Sequence, residues 1–256
     1  MLRALKSPKD PAPPVWLRTR GDIGAALDAL SIHRGRPVLV LVGGAGGMDD
    51  DDVQRLSAVL RIAVVPIIEM LHAAAIDGGT DSGVMRAMGR ARAEAGASFP
   101  LIGVAAAGTV SFAAVPPADR ARLDPHHTHV LLVPGSLWGD ESPWIAAVAD
   151  VVAQDHPSVT LLANGGDVSS ADVERSLQRR RPVIVLSGTG RAADAIGEAA
   201  ATGQAGDMRV QAIAGSPLTR IVSVGSADQV RSAVQAALEA VVGGFARNTG
   251  PSIEGR

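Results

Sequence analysis

The chain has 256 residues, 46% of them hydrophobic and 2% aromatic, and its formal net charge is −2 at pH 7. The scarcity of aromatic side chains and of net positive charge argues against a nucleic-acid partner. The absence of cysteine excludes disulfides, thiol catalysis and cysteine-ligated zinc. No apolar run approaches the ~18 residues of a membrane span, and the N-terminus lacks the apolar core of a secretory signal, so we expect no membrane insertion and a cytoplasmic location.

The two ends of the chain differ in composition from its middle. The segment Pro8–Pro14 is proline-rich, which predicts an extended arm, and Asp22–Ile32 is typical of a short helix with Asp22 as its N-cap. The ending PSIEGR resembles the scar of a protease-cleavage site, although it could equally be a native tail. We therefore expect an arm with a short helix, one domain and a flexible tail. These parts span residues 1–34, 35–245 and 246–256.

Between the ends, strands and helices alternate. Apolar runs bounded by turn signals predict strands buried on both faces, several ending in a turn: Pro37–Gly44, Ala73–Asp77, Phe99–Gly108, His127–Val133, Ser158–Gly166, Pro182–Gly190 and Arg220–Ser226. Helices are predicted from Asp49 past a kink near Pro66, over Val84–Ala95, from Ser142 to Gln154, from Ser169 or Ser170 to Arg179, over Arg191–Ala201 and over Ser226–Val242. This alternation predicts an α/β fold, a mainly parallel sheet with helices on both faces.

Glycine-rich turns follow four of the predicted strands. They read GGAGG from Gly43, GGTDSG from Gly78, NGGD from Asn164 and GTGR from Gly188. Strand, glycine turn and helix N-terminus together suit a phosphate, because backbone N–H groups and the positive helix end converge there. A single turn could equally need glycine only for a positive φ. Since all four lie at the carboxyl edge of one sheet, we expect a shared ligand site there.

Two familiar nucleotide motifs are absent or incomplete. No GxxxxGK[ST] sequence is present, which disfavours a P-loop nucleotidase. The stretch VGGAGG from Val42 loosely resembles GxGxxG, but the nearest acidic residue, Asp77, lies too far along the chain to hold a ribose. A hydride-transferring enzyme is therefore poorly supported.

Several polar side chains are further candidates. Arg191 begins a predicted helix, where a cation opposes the dipole, so it either contacts a phosphate or pairs with Asp194 or Glu198. Asp172 is either a catalytic carboxylate or a first-turn acid that favours the helix dipole.

A histidine cluster and two tryptophans also allow two interpretations each. Asp124, His126, His127 and His129 could form a metal site, since His127 and His129 would face the same side of a strand, but hydrogen-bonded or solvated imidazoles are the more ordinary explanation. Trp138 and Trp144 flank a predicted rim loop, where either could stack on a base or anchor a lid.

Three segments in this order, IDGGTDSGVM, LDPHHTHVLLV and VIVLSGTGRAADAI, resemble the N-terminal cytosolic (LSDAT/SLOG) region of TRPM-type channels and its free-standing prokaryotic relatives. These proteins belong to the SLOG superfamily, which also contains the LOG (lysine-decarboxylase-like) phosphoribohydrolases. The resemblance covers roughly residues 37–200. It implies a Rossmann-like, doubly wound fold that binds a nucleotide-derived small molecule such as ADP-ribose, with no other cofactor and no metal.

The resemblance also implies which residues hold the ligand. The expected set comprises Gly43, Gly44, Ala45, Gly78, Gly79, Thr80, Ser82, Gly83, Gly165, Gly166, Gly188, Thr189, Gly190 and Arg191. LOG enzymes carry PGGxGTxxE, whereas this chain reads NGGDVSSAD, so Asp172 stands where the catalytic glutamate would be. The shorter side chain favours a ligand sensor that acts on an effector domain or a second subunit. A LOG-like N-glycosidase that uses Asp172 is the alternative.

Overall fold

Eight strands of the chain form a single sheet in which every neighbouring pair is parallel. The structure is a computed structural model, and it describes residues 12–113 and 115–240. The strands are β1 (Pro14–Trp16), β2 (Val38–Gly43), β3 (Ala74–Asp77), β4 (Leu101–Ala106), β5 (His129–Val133), β6 (Ser158–Ala163), β7 (Val183–Ser187) and β8 (Thr219–Ser223). Their order across the sheet is β1-β5-β4-β3-β2-β6-β7-β8.

Helices connect these strands and cover both faces of the sheet. They are α1 (Ile23–Ala29), α2 (Asp50–Val59), α3 (Val65–Met70), α4 (Gly83–Glu94), α5 (Ser142–Ala153), α6 (Asp167–Gln178), α7 (Arg191–Thr202), α8 (Met208–Ala214) and α9 (Ala227–Glu239). A π-helical turn over Leu60–Val64 joins α2 to α3, just before Pro66. This π-helical turn lies where the kink is predicted, because a proline ring cannot continue regular α-helical hydrogen bonding.

The central strand β2 shows how one sheet supports two cores. Leu39 and Leu41 pack into the core beneath α2, α3, α4 and α9. Val38, Val40 and Val42 pack into the core beneath α1, α5, α6, α7 and α8. Successive side chains of a strand point to opposite faces, so a continuous apolar run is what a strand buried on both faces needs. The predicted α/β, doubly wound parallel architecture is confirmed.

Two elements were missing from the sequence-based prediction. The short strand β1 pairs with β5 at one edge of the sheet, within the N-terminal part for which the sequence predicts only an extended arm and a short helix. Helix α8 lies between α7 and β8, where the sequence predicts neither helix nor strand, and Asp207 caps it by accepting N–H bonds from Arg209 and Val210. The predicted tail, residues 246–256, the first eleven residues of the arm and the last two residues of the predicted closing helix lie outside the described residues.

One predicted helix start is wrong. Helix α6 begins at Asp167 with Gly166 at its N-cap, so Ser169 and Ser170 lie inside the helix and are buried. Helix α5 begins at Ser142, where the sequence predicts its start, and Glu141 holds the N-cap position. Each helix start thus has an acidic residue at the carboxyl edge of the sheet, where the turns converge.

No helix within the described ranges is long and apolar enough to cross a bilayer.

Glycines at the two ends of α4 test whether a steric clash or a positive φ alone requires glycine there. Gly83 has φ +49°, and a Cβ there would lie 1.8 Å from the carbonyl oxygen of Gly44. Gly96, just past the other end, has φ +62° with no atom within 4 Å of a Cβ. We predict that Gly83→Ala lowers the free energy of unfolding by about 3 kcal/mol or more, because backbone strain and a backbone clash add together.

Gly96→Ala provides the matched control, because it adds the strain without the clash. It should cost about 1–2 kcal/mol. Urea unfolding measures both variants. Equal losses would contradict the claim that close approach to Gly44, and not φ alone, demands glycine at position 83.

Candidate functional site

The chain changes direction across the sheet between β2 and β6. From β2 it proceeds through β3, β4 and β5 to one side, and then it returns to lay β6 against the other side of β2. Ligands of open parallel sheets bind in the crevice at such a switch point, outside the carboxyl ends of the strands. A cavity of about 350 Å³ lies there. We call this cavity the switch cleft.

Eight of the residues selected from the sequence line the switch cleft. They are Gly43, Gly44, Ala45, Gly78, Thr80, Gly166, Asp172 and Arg191. The floor and walls are apolar where Leu41, Met85 and Ile145 contribute to them. The fold therefore brings residues from all four glycine turns to one place, although Arg191 is the only residue of the GTGR turn in the lining.

The N-terminus of α6 opens into this cleft. Gly166 at the N-cap carries no side chain to accept the first N–H groups, and Asp167, Val168 and Ser169 of the first turn all line the cavity. Unsatisfied N–H groups at a helix start carry a partial positive charge that favours an anion. The carboxylate of Asp167 lies at the same mouth and opposes this attraction in part.

Arg191 reaches across the crevice toward the same helix. Its backbone has φ +52°, the left-handed region that costs a non-glycine residue about 1–2 kcal/mol. Its Nη1 donates to the carbonyl of Gly46 at 3.0 Å, and a Cβ on Gly166 would lie 2.7 Å from its Nη2. A side chain at position 166 would therefore displace the guanidinium from its place beside the start of α6.

The alternative in which Arg191 pairs with an acid of its own helix is wrong. Asp194 instead accepts the N–H of Gly188 at 2.6 Å. Within the described ranges, Arg191 forms no ion pair, with Glu198 or any other acid. Its charge therefore has no carboxylate partner at the cleft.

Two further carboxyl groups line the cleft, Asp172 in α6 and Glu141 before α5. Burial and the charge of Glu141 raise the pKa of Asp172 to about 7, against the lowering influence of the nearby Ser142 hydroxyl and of Arg175. Burial also raises the pKa of Glu141, although its carboxylate accepts the N–H of Gly139. A carboxyl group with a pKa near 7 can hold or release a proton near neutral pH.

Three of the six N–H groups of the GGTDSG turn are bonded within the fold. The N–H of Gly79 donates to Asp77, that of Asp81 to Arg122 and that of Ser82 to Thr80. The hydroxyls of Thr80 and Ser82 lie 3.0 Å apart. Of this turn, Gly78 and Thr80 line the switch cleft, whereas Gly79, Ser82 and Gly83 are not part of its lining. The three bonded N–H groups are therefore not free to bind a phosphate.

A buried ionic cluster of His127, Asp77 and Asp124 lies next to the GGTDSG turn. The imidazole of His127 lies between two carboxylates, with Nε2 at 2.7 Å from Asp77 and Nδ1 at 3.0 Å from Asp124. Both carboxylates raise the pKa of His127 to about 10 despite its burial. The strand begins only at His129, whose Nδ1 lies 2.7 Å from the Thr128 hydroxyl. Neither a shared His127–His129 face nor a solvated imidazole describes His127.

The remaining predicted residues hold the neighbouring turns together. Asn164 donates through its side chain to the carbonyl of Thr189, and the Thr189 hydroxyl accepts the backbone N–H of Asn164, both at 2.7 Å. Gly165 and Gly190 pack closely against Ser169 and Asn164 respectively. Gly188 and Thr189 line a second cavity beside Met48, outside the switch cleft.

The two tryptophans have different surroundings. Trp138 lines the switch cleft with 43% of its surface exposed, at the end of a loop that also exposes Leu137. Trp144 packs partly into the core beneath α5, with the Arg20 guanidinium 5.9 Å from its ring centre. Trp138 is therefore the tryptophan that faces the cavity.

The family of the chain follows from its sequence together with this fold. A family model described as SLOG in TRPM, prokaryote, matches residues 36–236. The chain belongs to this SLOG family. The match includes every residue of the switch cleft, so the resemblance seen in the three motifs is confirmed.

A curated relative of this SLOG chain is a transient receptor potential cation channel subfamily M member-like 2 from Nematostella vectensis. The two sequences are 27% identical over 182 residues, which is 56% of this chain and 12% of the relative. The SLOG chain thus spans about an eighth of the length of that relative.

Sequence reasoning missed Glu141 as a cleft residue. Its acidic side chain directly precedes the Ser142–Pro143 helix start at the carboxyl end of β5, and that position was the signal available in the sequence. Thr109 was also missed, because it follows β4 in a short 3₁₀ turn that was counted as strand or loop. Both lie on the switch cleft.

The His127 cluster predicts a specific dependence of stability on pH. The folded pKa of His127, about 10, exceeds the ordinary value of 6.5, so the folded state binds this proton more tightly than the unfolded chain. The stabilisation is complete below pH 6.5 and is lost as pH rises toward 10. Between pH 8 and 10 we expect the free energy of unfolding to fall by a few kcal/mol.

Urea unfolding at pH 8, 9 and 10 measures the slope of the free energy of unfolding against pH. This range lies above the pKa of Asp172. His127→Gln should flatten the curve, while His33→Gln, at an exposed position outside the cluster, should leave the slope unchanged. A slope that persists in His127→Gln would assign the dependence to other groups.

Proposed function

We propose that the chain binds a nucleotide-derived small molecule, ADP-ribose or a related compound, in the switch cleft. The observation that carries this proposal is the pairing of an uncapped helix start at α6 with the unpaired, strained Arg191 across the crevice. A phosphate between them would receive N–H groups from the helix and charge-assisted bonds from the guanidinium. The family supports the proposal, because it joins this chain to channel domains.

The rest of the ligand would use the other walls. The apolar side chains Leu41, Met85 and Ile145 suit a ring system, and Trp138 at the mouth can stack on a base. The carboxyl groups of Asp172 and Glu141 can accept hydrogen bonds from sugar hydroxyls. The phosphate end and the sugar end would then lie at opposite sides of one cavity.

We further propose that binding serves sensing. Ligand would draw the loop that carries Trp138 over the cleft, and the change would be transmitted to an effector domain or a second subunit. Trp138 and Leu137 are exposed at this loop, where a moving surface could meet a partner. The relative from Nematostella vectensis is a cation channel, and a channel would be one kind of effector for such a sensor.

A second function is favoured by one specific observation. The raised pKa of Asp172, beside Glu141 in the same cavity, is what an acid–base catalyst near neutral pH requires. The chain would then be a nucleotide N-glycosidase, with Asp172 as the carboxyl group that activates water or protonates the leaving base.

Binding is tested by calorimetry and thermal unfolding with AMP, NAD and ADP-ribose. A ligand at 100 times its Kd should stabilise the protein by about 2.7 kcal/mol. We predict that Arg191→Met weakens binding by about 10- to 100-fold, because it removes charge-assisted bonds worth about 1.5–3 kcal/mol.

Arg34→Met is the matched control for this loss of positive charge. Arg34 pairs with Asp28 and precedes β2, at the edge of the sheet opposite the cleft, so affinity should not change. If none of the three compounds binds, the proposal is wrong; if Arg191→Met binds as tightly as the parent protein, Arg191 does not belong to the site.

Hydrolysis is tested by incubating the same three compounds with the protein and separating the products by chromatography. The sensor function predicts that no free base is released. Release of base that falls by about 10²- to 10⁴-fold in Asp172→Asn would establish the glycosidase instead. Glu174→Gln, on the same helix but paired with Arg209, should retain any such activity.

A further inference from the structure

A third, much smaller cavity shares Asp172 with the switch cleft. Its volume is about 10 Å³, close to the least that one water molecule needs. It lies between β2, α5, α6 and the loop before β7, and apolar side chains such as Val40, Val42 and Ile145 form much of its lining. Asp172 lines both this cavity and the switch cleft.

Three polar atoms on residues that line this small cavity are buried without a hydrogen-bond partner among the described residues. They are Ser142 Oγ, Asp172 Oδ1 and Arg181 Nη1. The nearest cation to Asp172 Oδ1 is Arg175, whose Nη1 lies 3.6 Å away, beyond hydrogen-bond distance. A buried polar atom left unpaired costs about 1–3 kcal/mol, so three around one cavity call for a shared partner.

We propose that this cavity is a binding site for one internal water molecule, which joins Asp172 to Arg181 and makes Arg181 a positioning residue for the carboxyl group at the cleft. The water accepts from Arg181 Nη1, donates to Asp172 Oδ1 and bonds the Ser142 hydroxyl. That number of partners is typical of buried water. A metal cation is disfavoured by the guanidinium, and an anion is disfavoured by the carboxylate.

The guanidinium of Arg181 is held in place from its other side. Its Nη2 donates to Asp150 at 2.6 Å and its Nε to Ser158 at 3.0 Å, and the residue is 3% exposed. These bonds leave Nη1 as the nitrogen available to the cavity. Arg181 lies in the loop before β7, at the edge of the sheet opposite the cleft. The water connects its positive charge to the carboxyl group of Asp172.

The water bond favours the ionised form of Asp172. It acts with Arg175 and Ser142 against burial and against Glu141, which favour the neutral form. Asp167 and Arg191 face the same carboxyl group from the cleft side. Because an ionised Asp172 repels a phosphate in the cleft, the water site helps to set the pH at which an anionic ligand is released. The water site itself does not depend on the ligand proposal.

The first test is a crystal structure of the unmodified protein at about 1.5 Å resolution. The proposal predicts one water peak within hydrogen-bond distance of Ser142 Oγ, Asp172 Oδ1 and Arg181 Nη1. A cavity without density, or direct contact between these side chains, would overturn it.

The second test is an NMR titration of the Asp172 carboxyl carbon in Arg181→Lys and Arg179→Lys. Both variants keep their positive charge, and both arginines pair with Asp150, but only Arg181 lines the cavity. Lysine cannot supply the Nη1 bond, so Arg181→Lys should raise the midpoint by about one pH unit, a factor of ten, while Arg179→Lys leaves it unchanged. An equal midpoint in the two variants would remove Arg181 from the network.

Discussion

Close approach of backbone segments at the carboxyl edge of the sheet is the constraint on which the rest of the structure depends. The N–H of Val84 donates to the carbonyl of Gly44 at 3.1 Å, and that approach leaves no room for a side chain at Gly83. Gly43 lies equally close to the carbonyl of Ala163 on β6, where a Cβ would be 2.1 Å away. The turns after β2, β3 and β6 therefore interlock, and glycine is the residue that permits it.

The glycine turns have two explanations, close packing of the backbone and binding of an anion. In the GGTDSG turn, the N–H groups of Gly79, Asp81 and Ser82 are used within the fold, and Asp77 of the buried His127 cluster accepts the first of them. At the start of α6, no side chain caps the helix, and Arg191 lies alongside without a carboxylate partner among the described residues. Three of the six N–H groups of the GGTDSG turn thus serve packing, and our proposal therefore places the ligand phosphate at the switch point.

The alternation of apolar runs and helical segments was enough to predict the parallel sheet and its two faces, because burial on both faces leaves a direct pattern in the sequence. The short strand β1 leaves little such pattern, since three residues gain their place only by pairing with β5. The environment of Asp172 could not be predicted from the neighbouring sequence either. Glu141 and Ser142 at the start of α5 and Arg181 in the loop before β7 surround it, and they meet Asp172 only in the folded state.

The central claim is that the ligand phosphate lies at the start of α6 beside Arg191. The most direct measurement is a backbone-amide NMR titration of the ¹⁵N-labelled protein with AMP and ADP-ribose. The account predicts that the largest shifts fall on Gly166, Asp167, Val168 and Ser169, with a further shift at Arg191. Shifts concentrated on Gly79–Gly83, or no shifts with either compound at millimolar concentration, would contradict it.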